Sequence, residues 1–244
     1  MHPHQLQHLC LEQLAPRALE PALAASPLMY LPLGTYEWHG MHLPIGLDGL
    51  KAHGLCLQAA ARTGGLVMPT FYYGTGGGHS AYPLTIMLEP EQIIPILETT
   101  LKKLAEWGVK KVILFSGHFP GEQVAMVTGV AQRWSNPAMK VIGLTDAMTA
   151  GMAPLGPDHA ALYETSIHAM IQPEQIHLEE LPDKATHPDY DVPDPDFWKH
   201  SRHGKDHPLY GIFGIDPREY DPWKARETHR VVLDWLVQQV EQLG

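Results

Sequence analysis

The first residues that could carry out chemistry follow an apolar run at residues 28–33, which predicts a buried strand. Glu37, His39 and Asp48 come soon after this run. In an extended segment Glu37 and His39 would point to the same side, because they are two residues apart. Carboxylates and imidazole are ligands that zinc, manganese and iron accept in proteins. The stretch therefore predicts a metal site, although a polar surface loop could have the same composition.

A second candidate follows the segment 110–116, whose β-branched and apolar residues predict a central strand. His118 lies two residues beyond its end. Open α/β sheets place their ligand sites outside the carboxyl ends of the strands, so His118 is expected at the same edge as the first group. The alternative is a structural histidine in an ordinary strand-to-helix turn.

A glycine-rich segment at residues 73–83 carries His79. Successive glycines allow positive φ angles and a close approach of the backbone to a ligand, which makes Gly77 and Gly78 candidates for substrate contact. The segment lacks the lysine of a phosphate-binding loop. We interpret it as a substrate-facing loop, with a flexible turn and a solvated histidine as the alternative.

His159 and Glu164 belong to a segment that predicts another helix, from residue 158 to about residue 173. A carboxylate among the apolar residues of such a helix needs a cation or a metal to offset the loss of its hydration. All four segments together offer three carboxylates and at least two imidazoles. That set exceeds one tetrahedral zinc site and suits two divalent ions bridged by a carboxylate.

The hydrophobic pattern of the whole chain predicts an α/β fold with a largely parallel central sheet and helices on both faces. Residues 1–244 are interpreted as one domain. Residues 182–222 contain seven prolines and are expected to form a long irregular excursion, either a lid or a subunit contact. Strands are expected at 28–34, 66–72, 110–116 and 139–145, and helices within 1–26 and at 49–62, 89–107, 122–134 and 223–243.

Composition excludes several classes of partner. The net charge is −10, and no block of basic residues occurs, which argues against nucleic acid or an anionic membrane as the main partner. No apolar run approaches the ~20 residues of a membrane span. Two cysteines in a chain of 244 residues indicate a reducing compartment, and the N-terminal residues lack a signal-peptide pattern. A cytoplasmic location is therefore expected.

The motifs resemble those of the creatininase (creatinine amidohydrolase) family. The first motif runs from Leu31 to Asp48 as LPLGTYEWHGMHLPIGLD and matches the family pattern at nearly every fixed position. Three further motifs follow in the same order as in the family. They comprise Gly74, His79, Tyr82, Pro83 and Thr85, then Ser116, Gly117 and His118, and finally the segment from His159 to Ser166.

This resemblance implies a single α/β domain with a dinuclear metal site, usually in a homohexamer. It implies that Glu37 and His118 hold one metal ion, that His39 and Glu164 hold the other, and that Asp48 bridges the two. The expected cofactors are two divalent ions, zinc, manganese or iron.

The chain departs from the family pattern directly after His118. Phe119 and Pro120 stand where creatininase has a tyrosine and a metal-binding glutamate, and Gly121 stands at a usual asparagine. Phe119 is expected to contact substrate, and Glu122 remains a rival of Glu164 for the second ion. Phe119 offers no hydroxyl and Pro120 neither a carboxylate nor an N–H, so weak or absent hydrolysis of creatinine is expected.

The expected activity is metal-dependent hydrolysis of a non-peptide C–N bond in a small cyclic amide or a formamide, by a metal-activated water. His79 or the second metal would stabilise the oxyanion, and His159 would transfer a proton to the leaving nitrogen, unless it is a neutral structural histidine. An alternative from another class is a non-catalytic metal-binding or assembly protein that retains the fold. A third hypothesis is a family member with a pterin- or cofactor-pathway substrate.

Overall fold

A computed structural model describes residues 3–188 and 205–244. Its centre is a parallel four-stranded sheet in the order β2-β1-β3-β4, with helices on both faces, which confirms the predicted fold class. The strands are β1 (Leu28–Leu33), β2 (Leu66–Val67), β3 (Lys111–Ser116) and β4 (Lys140–Thr145). The helices are α1 (Pro16–Ala25), α2 (Leu47–Thr63), α3 (Pro90–Glu106), α4 (Gly121–Arg133), α5 (Leu162–Ala169) and α6 (Pro222–Glu241).

The core has two halves because successive strand residues point to opposite faces of the sheet. Ile113 and Phe115 of β3 pack on one side, where α2, α5 and α6 cover the sheet. Val112 and Leu114 pack on the other side, against α3 and α4. All residues of β1 are buried, as expected for a strand covered on both faces.

Several predicted element boundaries were wrong. The predicted strand at 66–72 contains only two strand residues, and Pro69 follows them with no N–H to extend the pairing. The N-terminal segment is two short 3₁₀ helices, Pro3–Leu9 and Leu11–Gln13, followed by α1. The last predicted helix before the excursion begins at Leu162, four residues later than expected.

The N-terminus of α2 also differs from its prediction, because the helix begins at Leu47 and includes Asp48 in its first turn. This first turn of α2 lies directly against the residues that follow β1 and β3. A Cβ atom on Gly34 would lie 2.2 Å from the backbone nitrogen of Gly49, and one on Gly117 would lie 2.2 Å from the carbonyl oxygen of Asp48. Only glycine at these two positions allows the helix, and with it Asp48, to reach the carboxyl edge of the sheet.

The proline-rich excursion is described in part. Phe213 pairs with His159 through two backbone hydrogen bonds, so this end of the excursion lies beside the predicted site. Tyr210 accepts a hydrogen bond from Trp38 Nε1 at 2.8 Å through its carbonyl oxygen. Three aromatic residues of the excursion, Phe197, Trp198 and Tyr210, are predicted from the sequence to anchor a subunit contact, and the first two lie outside the described residues. Within 3–188 and 205–244, none of the helices combines the length and apolar character needed to cross a bilayer.

Candidate metal centre

The carboxyl edge of the sheet brings Glu37, Asp48 and His118 together. His118 Nδ1 lies 3.0 Å from Glu37 Oε2 and 3.1 Å from Asp48 Oδ2. Glu37 follows β1, His118 follows β3, and Asp48 comes from the first turn of α2. Their ligand atoms lie within 4.8 Å of one another, which is close enough for a common metal ion.

A second group of ligand atoms lies next to the first and shares Asp48 with it. His39 Nε2 lies 3.4 Å from Asp48 Oδ1 and 3.4 Å from Glu164 Oε2. The two carboxylate oxygens of Asp48 thus face different groups, Oδ2 toward His118 and Oδ1 toward His39. One carboxylate thus faces both groups of ligand atoms.

Backbone carbonyl groups orient both histidines. His39 Nδ1 is 2.9 Å from the carbonyl oxygen of Glu37, and His118 Nε2 is 3.2 Å from that of Thr75. A carbonyl only accepts, so these ring nitrogens carry the protons and donate. In the neutral rings that bind metal ions, the opposite nitrogens would then direct their lone pairs at the carboxylates, the orientation that metal-binding histidines usually have.

Burial and charge also suit a cation. Glu37, His39, Asp48 and His118 are all at most 4% exposed. Burial would lower the pKa of His118, but Glu37 and Asp48 raise it to about 10. Burial would likewise lower the pKa of His39, which Asp48 and Glu164 raise to about 9. These carboxylates therefore favour positive charge between them.

Three buried atoms of this centre make no well-aligned hydrogen bond within the described residues, although each lies within 3.4 Å of a ring nitrogen or a carboxylate oxygen: Glu37 Oε2, His39 Nε2 and Asp48 Oδ2. All three are ligand types for zinc, manganese or iron, and all three point into the centre. The residues present therefore fit two divalent ions.

The two predicted catalytic histidines also reach this edge. His79 Nδ1 is hydrogen-bonded to Glu37 Oε1, and its ring stacks on Phe213 with centroids 5.5 Å apart. His159 Nε2 donates to the carbonyl oxygen of Trp38 at 3.1 Å. Burial, together with neighbouring histidines, keeps the pKa of His159 well below its usual range despite Glu37. A third group of close ligand atoms joins His159 to Glu37 and His39, so a metal-binding role is also open to it.

Lys51 is a site residue that sequence reasoning missed. Its side chain has no exposed surface, and its Nζ lies 2.8 Å from Glu164 Oε1 and 3.1 Å from Asp146 Oδ2. Burial raises the pKa of Asp146 to about 6, although Lys51 counteracts the rise. Two signals could have found the pair, since Lys51 follows Asp48 by three positions on α2 and Asp146 follows β4 at the same sheet edge.

Asp158 was also missed, and it orients Glu164. Its carboxylate accepts hydrogen bonds from the backbone N–H groups of Tyr163 and Glu164, at 2.8 and 3.3 Å, in the first turn of α5. The backbone N–H of Ala160 donates to Glu164 Oε2 at 2.7 Å. Glu164 is thus held between Lys51 on one oxygen and Ala160 on the other.

A cavity of about 620 Å³ opens onto the metal centre. Gly77 and Phe119, predicted to contact substrate, lie in its wall together with His79 and His159. Gly78, the third predicted contact, is not part of the wall as far as the described residues define it. Glu122 lies in the wall, but it is absent from the groups of close ligand atoms found in the described chain.

A family model described as Creatininase: Creatinine amidohydrolase matches residues 12–240. The chain belongs to the creatininase family. The creatinine amidohydrolase of Pseudomonas putida is 28% identical over 194 residues, covering 69% of this chain and 74% of that protein. A mycofactocin precursor peptide peptidase of Mycobacterium tuberculosis H37Rv is 26% identical over 172 residues, 64% of this chain and 63% of that protein, so the match spans under two thirds of the peptidase.

The fold comparison agrees with this membership. A solved structure described as creatininase Mn superposes with a TM-score of 0.75 over 96% of this chain and 98% of its own, at 22% identity. At that identity the likeness concerns the fold. The chain is thus a divergent creatininase-family amidohydrolase with two adjoining groups of metal-ligand types at the carboxyl edge of its sheet.

Proposed function

We propose that this protein is a dinuclear-metal hydrolase that cleaves a non-peptide C–N bond, in a cyclic amide or a formamide. The observation that carries the proposal is the placement of Asp48, whose two oxygens face the His118 group and the His39 group respectively. Membership of an amidohydrolase family supports the reaction class. Relatives with solved structures described as Mn and Zn-Zn forms support manganese or zinc as the ions.

In this proposal Glu37 and His118 hold one ion, His39 and Glu164 hold the other, and Asp48 bridges them. Two divalent ions would supply a water of lowered pKa and polarise the substrate carbonyl. The protein supplies the fixed orientation, because backbone carbonyls set both histidine tautomers and Asp158 and Lys51 hold Glu164.

Two histidines in the cavity wall would handle protons and charge. His79 donates its Nδ1 proton to Glu37, so it would donate from Nε2 toward a developing oxyanion only when the ring carries both protons. His159 has a depressed pKa, so it is neutral at pH 7 and would accept a proton before passing it to the leaving nitrogen. Phe213 stacks on His79 and pairs with His159, which limits the movement of both rings.

The substrate is proposed to differ from creatinine. Phe119 and Pro120 line the cavity beside the centre, so polar groups of creatinine would lack partners there. Each unpaired group costs about 1–3 kcal/mol, or about one to two orders of magnitude in rate when it is lost in the transition state. The non-catalytic alternative is less favoured, because all five proposed ligands lie together and a cavity reaches them.

Metal analysis combined with a substrate panel tests the proposal. The purified protein should bind up to two divalent ions per chain, and Asp48→Ala should lose most of both. Turnover should appear with some lactam or formamide, while creatinine with added manganese or zinc should react weakly or not at all. Full metal binding by Asp48→Ala would show that the bridging assignment is wrong.

Two glutamates provide a matched comparison for the second ion. Glu164→Gln should lose one of the two ions in a metal titration, because Glu164 Oε2 faces His39. Glu122→Gln should keep both. The reverse pattern would assign the second ion to Glu122.

A further inference from the structure

We propose that the substrate carries an apolar segment that ends in a cationic group, and that Glu122 recognises this cation. The inference rests on the proposed metal-dependent hydrolysis and adds the chemical class of the substrate. It concerns the part of the cavity outside the metal centre.

The cavity is larger than a small ring amide requires. Its volume of about 620 Å³ lies within the range of ~300–1,000 Å³ in which proteins bury drug-sized ligands. A substrate whose reacting amide lies at the metal centre would therefore leave most of this space unfilled unless it extended outward.

The wall beside the metal centre is apolar on one side. Phe119, Pro120, Ala147, Ala150 and Pro157 contribute to it. The Phe119 ring is fixed from behind, where Lys51 Nζ lies 4.6 Å from its centroid and Tyr163 packs edge-to-face at 6.4 Å. A hydrocarbon segment of the substrate would bury its surface against this rigid wall, at a gain that grows with the area removed from water.

The charge of the wall favours a cation at the outer end of that segment. Three carboxylates line the cavity among the described residues. Asp48 and Glu164 are proposed metal ligands, whereas Glu122 is exposed in the wall, in the first turn of α4. Its Oε2 accepts a long hydrogen bond of 3.4 Å from the N–H of Gly77, another residue of the wall. Lysine and arginine are missing from the lining formed by the described residues.

Glycines on the opposite loop keep this carboxylate in place. A Cβ atom on Gly76 would lie 2.6 Å from Glu122 Oε2 and 2.7 Å from Glu122 Cβ, so only glycine allows the loop to pack so closely on the side chain. Gly76 also has a φ of +86°, which glycine adopts without strain. The glycine-rich loop thus positions Glu122 at the cavity wall.

Hydroxamic acids with different tails test the proposal on the metal-loaded protein, because the hydroxamate group chelates the ions and the tail probes the wall. The probes are acetohydroxamic, hexanohydroxamic and 6-aminohexanohydroxamic acids and adipic acid monohydroxamate, measured by calorimetry. Hexanohydroxamic acid should bind at least about tenfold more tightly than acetohydroxamic acid, since each fully buried methylene group increases the affinity about fourfold. The ammonium tail should add about three- to fivefold, and the carboxylate tail should weaken binding.

Glu122→Gln should remove the gain in affinity from the ammonium tail and leave the affinity for hexanohydroxamic acid unchanged. Glu91→Gln is the matched control, because Glu91 occupies the same first-turn position in α3, away from the cavity. The ammonium advantage should also shrink at high salt, as expected for an exposed pair.

The possible failures are distinguishable. The role of Glu122 is overturned if the parent binds 6-aminohexanohydroxamic acid and hexanohydroxamic acid equally well. It is also overturned if 6-aminohexanohydroxamic acid still binds more tightly than hexanohydroxamic acid to Glu122→Gln. Equal binding of the aceto- and hexanohydroxamic acids overturns the apolar segment. If no probe binds the metal-loaded protein, the proposed metal centre itself is wrong, and the inference fails with it.

Discussion

Replacing Lys51 by methionine should destabilise the protein strongly. Its ammonium group is fully buried and lies 2.8 Å from Glu164 and 3.1 Å from Asp146. Removing one partner of a buried ion pair leaves an uncompensated charge and costs about 3–5 kcal/mol. Lys51 pairs with two carboxylates, but the loss of stability should not be twice this value. Burial already raises the pKa of Asp146 to about 6, and without Lys51 this pKa would rise further. Asp146 would then take up a proton, so that only Glu164 remains as an unpaired charge.

Urea unfolding of the metal-free protein, at equal protomer concentration, measures this loss. Arg62→Met is the matched control, since its ion pair with Asp234 has both side chains more than two fifths exposed and should contribute about 1 kcal/mol or less. Adding manganese or zinc should stabilise Lys51→Met more than the parent, because a bound ion partly replaces the missing charge. If Lys51→Met loses no more stability than Arg62→Met, the argument from buried charge is refuted.

Three further predictions concern packing, acid stability and assembly. Gly117→Ala should lower both stability and metal binding, because the added Cβ would meet the Asp48 carbonyl oxygen at 2.2 Å; unfolding curves and a metal titration check this, and normal metal binding would contradict it. Burial lowers the pKa of His168 to about 4, below its ~6.5 in the unfolded chain, so stability is lost as the pH falls from 6.5 toward 4. The parent should therefore lose about 2 kcal/mol more than His168→Gln between pH 7 and pH 5, and equal losses would show that His168 is not responsible. Light scattering should reveal a homo-oligomer, expected by family resemblance to be a hexamer, and a monomer at micromolar concentration would contradict this.

Much of the architecture could be predicted from local patterns. The buried strands β1 and β3 were identified within one residue of their observed bounds, because each is a short, mostly apolar run that stops directly before a glycine, Gly34 or Gly117. The short β2 could not be anticipated in the same way, since apolar residues 66–72 satisfy a strand pattern whether or not a neighbour is available to pair with them. Pairing depends on partners far along the chain.

The types and order of the candidate ligands were visible in the sequence, and so was their common location. Glu37 and His118 follow parallel strands, whose carboxyl ends necessarily share one edge of the sheet. Asp48 was recognised as a ligand type but was expected before the helix. Its place in the first turn of α2 depends on how closely that helix can approach the strands.

What the sequence determined by itself is therefore the set of strands, the sheet edge where chemistry occurs and the residue types that gather there. Only the tertiary structure decided which oxygen of Asp48 faces which histidine, and that Lys51 pairs with Glu164 across 113 positions. It also placed Phe213 of the excursion against His159. Such contacts join segments that are distant in the chain and depend on close packing, such as that of Asp48 and Gly49 against Gly34 and Gly117, which no local periodicity encodes.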